Sequence, residues 1–197
     1  MGTKASRFEV KPLTRETWPD LVELFARPGA SIARGCWCMY YRKKGRGVSA
    51  DEAPKNRRAL RSLVSRDYVP GLIAYDDDRP VGWLSLGPRD DYEKLANSPV
   101  MKPVDDTPVW SIVCFFIDSK SRGRGVAKSL LDAGIDHARA HGATLLEAYP
   151  VDKKERSVSD FLWFGSKSMF DRAGFKEVAR RKPTRPVMRK RIRQRRT

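Results

Sequence analysis

The stretch SKSRGRGVAKSLL, residues 119–131, follows an apolar run and opens into a segment with helical periodicity. Gly123 and Gly125 carry no Cβ, so the backbone of this turn can approach a ligand closely. Its N–H groups and the start of a helix near Val126 converge on one place, an arrangement that holds phosphate. Arg122 and Arg124 add charge at the rim. Two familiar phosphate loops do not fit. A dinucleotide fingerprint needs glycine where Lys128 stands, and a nucleoside triphosphate loop needs glycine directly before a Lys-Ser pair, where this chain has Ala127. Spacing alone therefore leaves two readings open, a phosphate loop and an ordinary strand-to-helix turn.

Other residue types could move protons or bind an amine. Glu147 and Tyr149 share one face at the end of the strand-like segment ATLLEAYP, with Asp152 just beyond, and a carboxylate or phenol there can serve as base or acid. A structural carboxylate and a packed aromatic are the alternative readings. GCWCMYYR offers Trp37, Tyr40 and Tyr41 as an aromatic wall, and Asp90, Asp91, Asp105 and Asp106 lie in the connection 88–107. Aromatic faces with carboxylates suit a cationic amine; core aromatics and solvated loop acids are the competing assignment. Cys114, inside an apolar strand, reads as inert packing rather than a nucleophile. Three cysteines make an odd count, which argues against a disulfide framework and for a reducing, cytoplasmic setting. Cys36 and Cys38 have no second pair, and His137 and His141 fall on a later helix as solvated, dipole-compensating residues, so no metal site is expected.

The elements that must position these groups follow from periodicity. RFEVKPLT alternates as a half-buried strand, and Thr14 can cap a helix over RETWPDLVELFA that turns Trp18, Leu21, Val22 and Phe25 inward. A second helix, EAPKNRRALRSLVSR, buries Leu60 and Leu63 or Val64. PGLIAYDDDRPVGWLSLGP reads as a hairpin turning at Asp76–Asp78, and PVWSIVCFFI as a strand buried on both faces. The helix after the glycine loop buries Val126, Leu130, Leu131 and Ile135 and ends at Gly142. A strand over ATLLEAYP, a helix over DFLWFGSKSMFDRAG and strands around FKEVAR and RPVMRKRI complete the order. The predicted class is α+β, a mixed, mostly antiparallel central sheet with one parallel βαβ pair and helices on both faces, in a single domain spanning residues 1–197.

The net charge is +16, but ten of the forty basic residues lie from Arg180 onward, leaving thirty against twenty-four acids in the rest. A basic tail from about residue 191 would attract nucleic acid nonspecifically through its charge. No apolar run is long enough to span a membrane, and the start lacks a secretory pattern.

RGRGVA, Arg122–Ala127, resembles the Arg/Gln-x-x-Gly-x-Gly/Ala loop of the GNAT superfamily of acetyl-CoA-dependent N-acetyltransferases, and FFIDSKSRGRGVAKSLL is similar to its strand-loop-helix segment. MFDRAGFKEVAR resembles the superfamily's C-terminal helix and strand, and GCWCMYYR and PVWSIVCFF are similar to a bacterial subgroup of it. The resemblance implies the acyl-CoA N-acyltransferase fold, acetyl-CoA as cofactor and a small-molecule or peptide amine as acceptor. The cofactor's pyrophosphate would sit on Arg122, Gly123, Arg124, Gly125, Val126 and Ala127. Its pantetheine arm would pair with the backbone around Phe115, Phe116 and Ile117. The acetyl group would then pass by direct attack of the amine on the thioester. The chain departs from the pattern at Phe170, where the superfamily's proton-donating tyrosine often stands, and at Ile112, where some members carry a glutamate base. Glu147 and Tyr149 are the candidates to take over. An RNA-binding module and a non-catalytic acyl-CoA sensor of the same fold are the alternatives.

Overall fold

A computed structural model describes residues 8–43, 50–153 and 163–193. Seven strands form one sheet in the order β1-β2-β3-β4-β5-β7-β6. They are β1 (Glu9–Pro12), β2 (Gly71–Asp76), β3 (Arg79–Pro88), β4 (Trp110–Ile117), β5 (Leu145–Ala148), β6 (Lys176–Lys182) and β7 (Arg185–Arg191). Only β4 and β5 run parallel; the other pairs are antiparallel. The α+β class with a mixed sheet follows directly. The described helices are α1 (Trp18–Ala26), α2 (Ser31–Cys36), α3 (Ala53–Val64), α4 (Glu93–Ala96), α5 (Val126–Ala140) and α6 (Lys167–Arg172).

Helices cover both faces. On one, α1 buries Trp18, Leu21, Leu24 and Phe25 while α3 buries Leu60 and Val64, all against Ile73, Tyr75, Trp83 and Phe116 of the sheet. On the other, α5 lays Val126, Leu130, Leu131 and Ile135 over Leu84, Leu86 and Ile112, the 3.6-residue stripe that the sequence carries. The helix lies close because Gly134 presents no side chain: a Cβ there would stand 2.7 Å from Leu84 Cδ2.

Two local details differ from the sequence reading. Thr17, not Thr14, precedes the first helical residue; the Thr14 N–H donates to Thr17 Oγ1 at 2.9 Å, and Pro19 follows in the opening turn. The last helix is shorter than DFLWFGSKSMFDRAG suggests. Gly165 takes φ +72°, Ser166 caps α6 by accepting from the Met169 N–H, and the helix starts at Lys167. Residues 160–162 of that expected helix lie outside the described residues.

Several basic residues of the C-terminal segment are paired with the fold. Arg180 pairs with Asp152 and Glu177, Arg189 with Glu147 and Asp105, and Arg181 donates to the carbonyls of Val100, Lys102 and Pro103. Ile192, only 5% exposed, belongs to the core, and its N–H bonds Thr144 O at 2.9 Å; residues 194–197 lie outside the described residues. Among the described residues no helix is long and apolar enough to cross a membrane.

The feature that positions the site is the register of β4. Ser85 faces Cys114 but Leu86 faces Ile112, so Val113 is an extra residue that bulges the strand. On the other side β4 pairs with β5 only from Trp110 to Ile112 against Leu146 to Ala148. β5 then ends while β4 runs on to Ile117, and a gap opens beside Val113–Ile117. The β2–β3 pairing beneath is tight: a Cβ on Gly71 would lie 2.2 Å from Leu84 O, a backbone atom that cannot step aside. Gly71→Ala should therefore lower stability by about 2 kcal/mol, read as a shifted midpoint in urea unfolding with the slope unchanged.

Candidate functional site

The strand-to-helix turn is anchored from below. Asp118, buried at the end of β4, accepts from Arg79 at 2.9 Å and lies 3.6 Å from Arg27, which fixes where the loop begins. A short 3-10 turn, Ser119–Ser121, leads to Gly123 at φ +76° and Gly125 at φ +96°, conformations that a Cβ would strain. Gly125 is the N-cap of α5, and a Cβ built on either glycine meets nothing within 4 Å. Their outer faces are open. The loop is thus a cradle whose amides remain approachable, and it fits a phosphate group.

Arg122 donates from Nε to Ile117 O at 3.3 Å and lines, with Phe115, Phe116, Ile117 and Ala127, a cavity of about 510 Å³ whose far side is α2 and the turn Trp163–Ser166. Arg124 turns away to pair with Asp76 at 2.8 Å, and Val126 is buried in the core. Phe170 is fully buried, edge-on to Phe115 at 6.2 Å and Phe175 at 5.0 Å; it supports the wall from behind. One expectation meets an obstacle. The Phe115 N–H already donates to Trp163 O at 2.5 Å, so the chain's own backbone fills that strand-edge position. An exposed strand edge needs its donors satisfied, and the segment after β5 supplies the acceptor.

A second, smaller cavity of about 190 Å³ adjoins the first through Ile32, Ala33, Phe116 and Trp163. It is lined by Tyr40, Tyr41, Phe164, Val113 and all three cysteines of the chain. Cys38 accepts from Trp83 Nε1 at 3.0 Å. Its contact with Cys114 pushes the Cys38 thiol well above its ordinary pKa, and contact with Cys38, then burial, does the same to Cys36. Both stay protonated thiols, and no group of metal-holding side chains occurs among the described residues. The convergence of cysteines 76 positions apart in sequence, Cys38 and Cys114, was invisible in the chain because the bulge at Val113 resets which β4 residues face this side.

Of the expected aromatic wall, Tyr40 and Tyr41 line this cavity and Trp37 does not. Trp37 and Cys38 adopt φ +47° and +51°, a left-handed turn that reverses the chain after α2. Trp37 consequently enters the core, stacked on Trp18 at 5.7 Å and edge-on to Phe25 at 5.2 Å. Tyr41 packs edge-on between Tyr40 and Phe164, and burial pushes its phenol upward in pKa so that it keeps its proton. The aspartates expected opposite lie elsewhere. Asp91 accepts from Tyr68 and pairs with Arg42 at 3.3 Å, Asp105 pairs with Arg189 at 2.6 Å, and Asp90 and Asp106 line a separate hollow with Trp110 and His141.

Glu147 and Tyr149 are brought together, but inside the protein. Glu147 is 0% exposed; Oε1 accepts from Arg89 Nη1 at 2.5 Å and from Tyr149 Oη at 2.7 Å, and Oε2 from Arg189 Nε at 2.7 Å. Tyr149 Oη also accepts from Arg89 at 2.6 Å and lies 2.9 Å from Ser111 Oγ. Burial, then the Glu147 charge, pushes the phenol well above its ordinary pKa. The other arm of Arg89 donates to Met101 O at 2.6 Å and Leu95 O at 3.2 Å, so this cluster ties the connection 88–107 to the sheet. Every carboxylate oxygen is engaged, and none faces either cavity. Glu147→Gln should destabilise the fold by about 3 kcal/mol, because it leaves two arginines without their shared counter-charge. Denaturant unfolding checks this, and an unchanged midpoint would return Glu147 to candidacy as a base.

His137 and His141 lie with ring centres 4.1 Å apart and tilted by 38°, beside Trp110. Burial, then the neighbouring His141, lowers His137 to about 4, so at neutral pH it carries no charge to compensate the helix dipole, unlike the sequence expectation. The unfolded chain then binds more protons than the folded one between the ordinary value near 6.5 and about 4. Stability should be full above pH 6.5 and fall as the pH drops through that window. His137→Gln should flatten this part of the profile, measured as thermal midpoint against pH.

Comparison with known proteins agrees with this geometry. The profile described as the acetyltransferase (GNAT) family matches residues 34–161. No curated protein matches the chain by sequence. Among solved structures, an agmatine N-acetyltransferase mutant in its apo form is similar over 95% of this chain and 100% of its own, with 13% identity and a TM-score of 0.57. A mosquito protein named arylalkylamine N-acetyltransferase like 5b is similar over 94% and 100%, with 12% identity and a TM-score of 0.57. The PaiA N-acetyltransferase of Thermoplasma acidophilum, solved with coenzyme A, is similar over 94% and 99%, with 17% identity and a TM-score of 0.50. At these identities the likeness is one of fold.

Proposed function

Since the chain belongs to the GNAT acetyltransferase family, we propose that it is an acetyl-CoA-dependent N-acetyltransferase acting on a primary amine by direct attack on the thioester. The observation that carries this reading is the open glycine cradle at the start of α5, continuous with the cavity along Phe115–Ile117 and, through Phe116 and Trp163, with the smaller hollow. Acetyl-CoA would supply an activated acetyl thioester. Arg122 and the amides from Gly123 to Ala127 would hold its phosphates, and Phe116, Ile117 and Ala127 would line the path of its arm.

The remaining task is to place an amine and manage two protons. Phe170 has no proton to give and is sealed in the core. We assign the acid role to Tyr41, whose protonated phenol stands on the wall of the smaller hollow beside Cys114. Glu147 and Tyr149 serve as the buried hub that holds this end of the sheet, and the amine gives up its proton to solvent at the mouth. The engagement of Glu147 by Arg89 and Arg189 supports that division of labour.

Calorimetric titration with acetyl-CoA at low and moderate salt tests the cofactor site: saturable one-to-one binding should persist at moderate salt, where nonspecific attraction to a basic protein is screened. Gly125→Asp should abolish that binding while Gly125→Asn, equally strained but neutral, retains most of it. Comparable loss in both would mean the loop shape, and not phosphate, was being tested. Tyr41→Phe should lower turnover about a hundredfold with acetyl-CoA affinity unchanged. An undiminished rate removes Tyr41 from the chemistry, and no acetylated product from a broad amine panel would favour an acyl-CoA sensor, the reading that Phe170 suggests.

A further inference from the structure

The smaller hollow lacks the carboxylates that the sequence suggested. No charged side chain of either sign lines it, and two cations stand against rings of its walls. The Arg185 guanidinium carbon lies 4.1 Å from the centre of the Phe164 ring, and Lys94 Nζ lies 3.5 Å from the centre of the Tyr40 ring. The other arginines sunk into this part of the sheet are met by carboxylates, Arg89 and Arg189 by Glu147 and Arg42 by Asp91. Arg185 is not. Among the described residues its polar partners are Tyr149 O at 3.3 Å and Met101 Sδ at 3.9 Å, and its Nε is buried without any partner. Burial weighs against its charge. An under-matched, partly desolvated guanidinium is costly until an anion meets it. Its planar fork matches the two oxygens of a carboxylate, and its stacking on Phe164 holds that fork in place.

Resting on the transferase reading above, we infer that the acceptor is an amine that also bears a carboxylate, an amino acid with an apolar side chain, whose carboxylate is received by Arg185 and whose side chain enters the hollow between Tyr41, Phe164 and the three cysteines. Lys94 stands over Tyr40 in the neighbouring hollow, next to Glu93. Arg185 is then a specificity residue that touches the acceptor away from the reacting nitrogen.

Matched pairs that differ only in the carboxylate test this with the full chain: L-leucine against 3-methylbutylamine, and L-phenylalanine against 2-phenylethylamine. Acetyl transfer is followed by thiol release from acetyl-CoA, and binding of the same four compounds in the presence of coenzyme A by saturation-transfer NMR. The acids should be preferred by about tenfold or more in kcat/KM and should be the better binders. Arg185→Met, which keeps an apolar stem over Phe164, should bring the acid-to-amine ratio near one, and Arg185→Lys should keep part of it. Acetyl-CoA affinity should stay unchanged in both, and Arg185→Met should not lower the thermal midpoint. Equal or greater use of the amines overturns the inference, as does an undiminished ratio in Arg185→Met, or acids that neither react nor bind. A wild-type protein that fails to bind acetyl-CoA overturns the transferase reading itself, whereas intact acetyl-CoA binding without an acid preference overturns this inference alone.

Discussion

The structure depends on the place where β4 and β5 part. Parallel strands share slanted hydrogen bonds, and once pairing stops the edge of the longer strand presents unsatisfied donors and acceptors. Here pairing stops after Ile112 and Ala148, while β4 continues through five more residues to Ile117. The bulge at Val113 turns the free edge, and the gap it faces becomes the pair of cavities. One edge donor, the Phe115 N–H, is met by Trp163 O. The glycine turn then starts where this edge ends, so the glycine cradle and the apolar hollow lie at opposite ends of one open strand segment. Sheet register, and not any single side chain, sets the distance between the two.

A split sheet of this kind must be held from beneath, and the cluster around Glu147 does so. Ser111 and Glu147 are register partners in the last stretch where β4 and β5 still pair, and Tyr149 follows just past it. Arg89 reaches into this cluster from the start of the 88–107 connection and Arg189 from β7, so four chain segments meet in one cluster, with Ser111 joined through Tyr149. A buried ion cluster is a poor source of net stability compared with apolar packing of the same volume, but it tolerates only one arrangement of its members. That geometric strictness suits a point where strands separate and a long connection must return to the same position.

The sequence carried most of the scaffold. The alternation of β1, the hairpin at Asp76–Asp78, the stripe of α5 and the glycine spacing at 123 and 125 are local signals, and each appears where periodicity puts it. What could not be read were consequences of distant contact. Trp37 sits in a segment as aromatic as Tyr40 and Tyr41, yet two left-handed residues send it to the core and its neighbours to the cavity. Glu147 alternates correctly with Tyr149, but the arginines that neutralise it come from positions 89 and 189. The aspartates of 88–107 are acidic in composition and paired in space, Asp91 with Arg42 and Asp105 with Arg189. Charge pairing is nonlocal, so counting acids in a loop gives no sign for the surface that the loop helps to build.

Phe170 shows how such nonlocal choices constrain one another. With no hydroxyl at that position, Phe170 packs between Phe115 and Phe175 and the α6 side of the gap beside β4 is backed by an apolar ring. The opposite wall of the smaller hollow, with the hydroxyls of Tyr40 and Tyr41, is built by the segment after α2. That segment reaches the hollow only because the chain reverses at Trp37 and Cys38, and the reversal is secured by Trp37 stacking on Trp18 and by Cys38 accepting from Trp83. The tryptophan core of the α1–α3 face therefore sets the position of Tyr41. A residue that lines neither cavity, Trp37, becomes a determinant of the hollow's shape through the backbone turn that its burial requires.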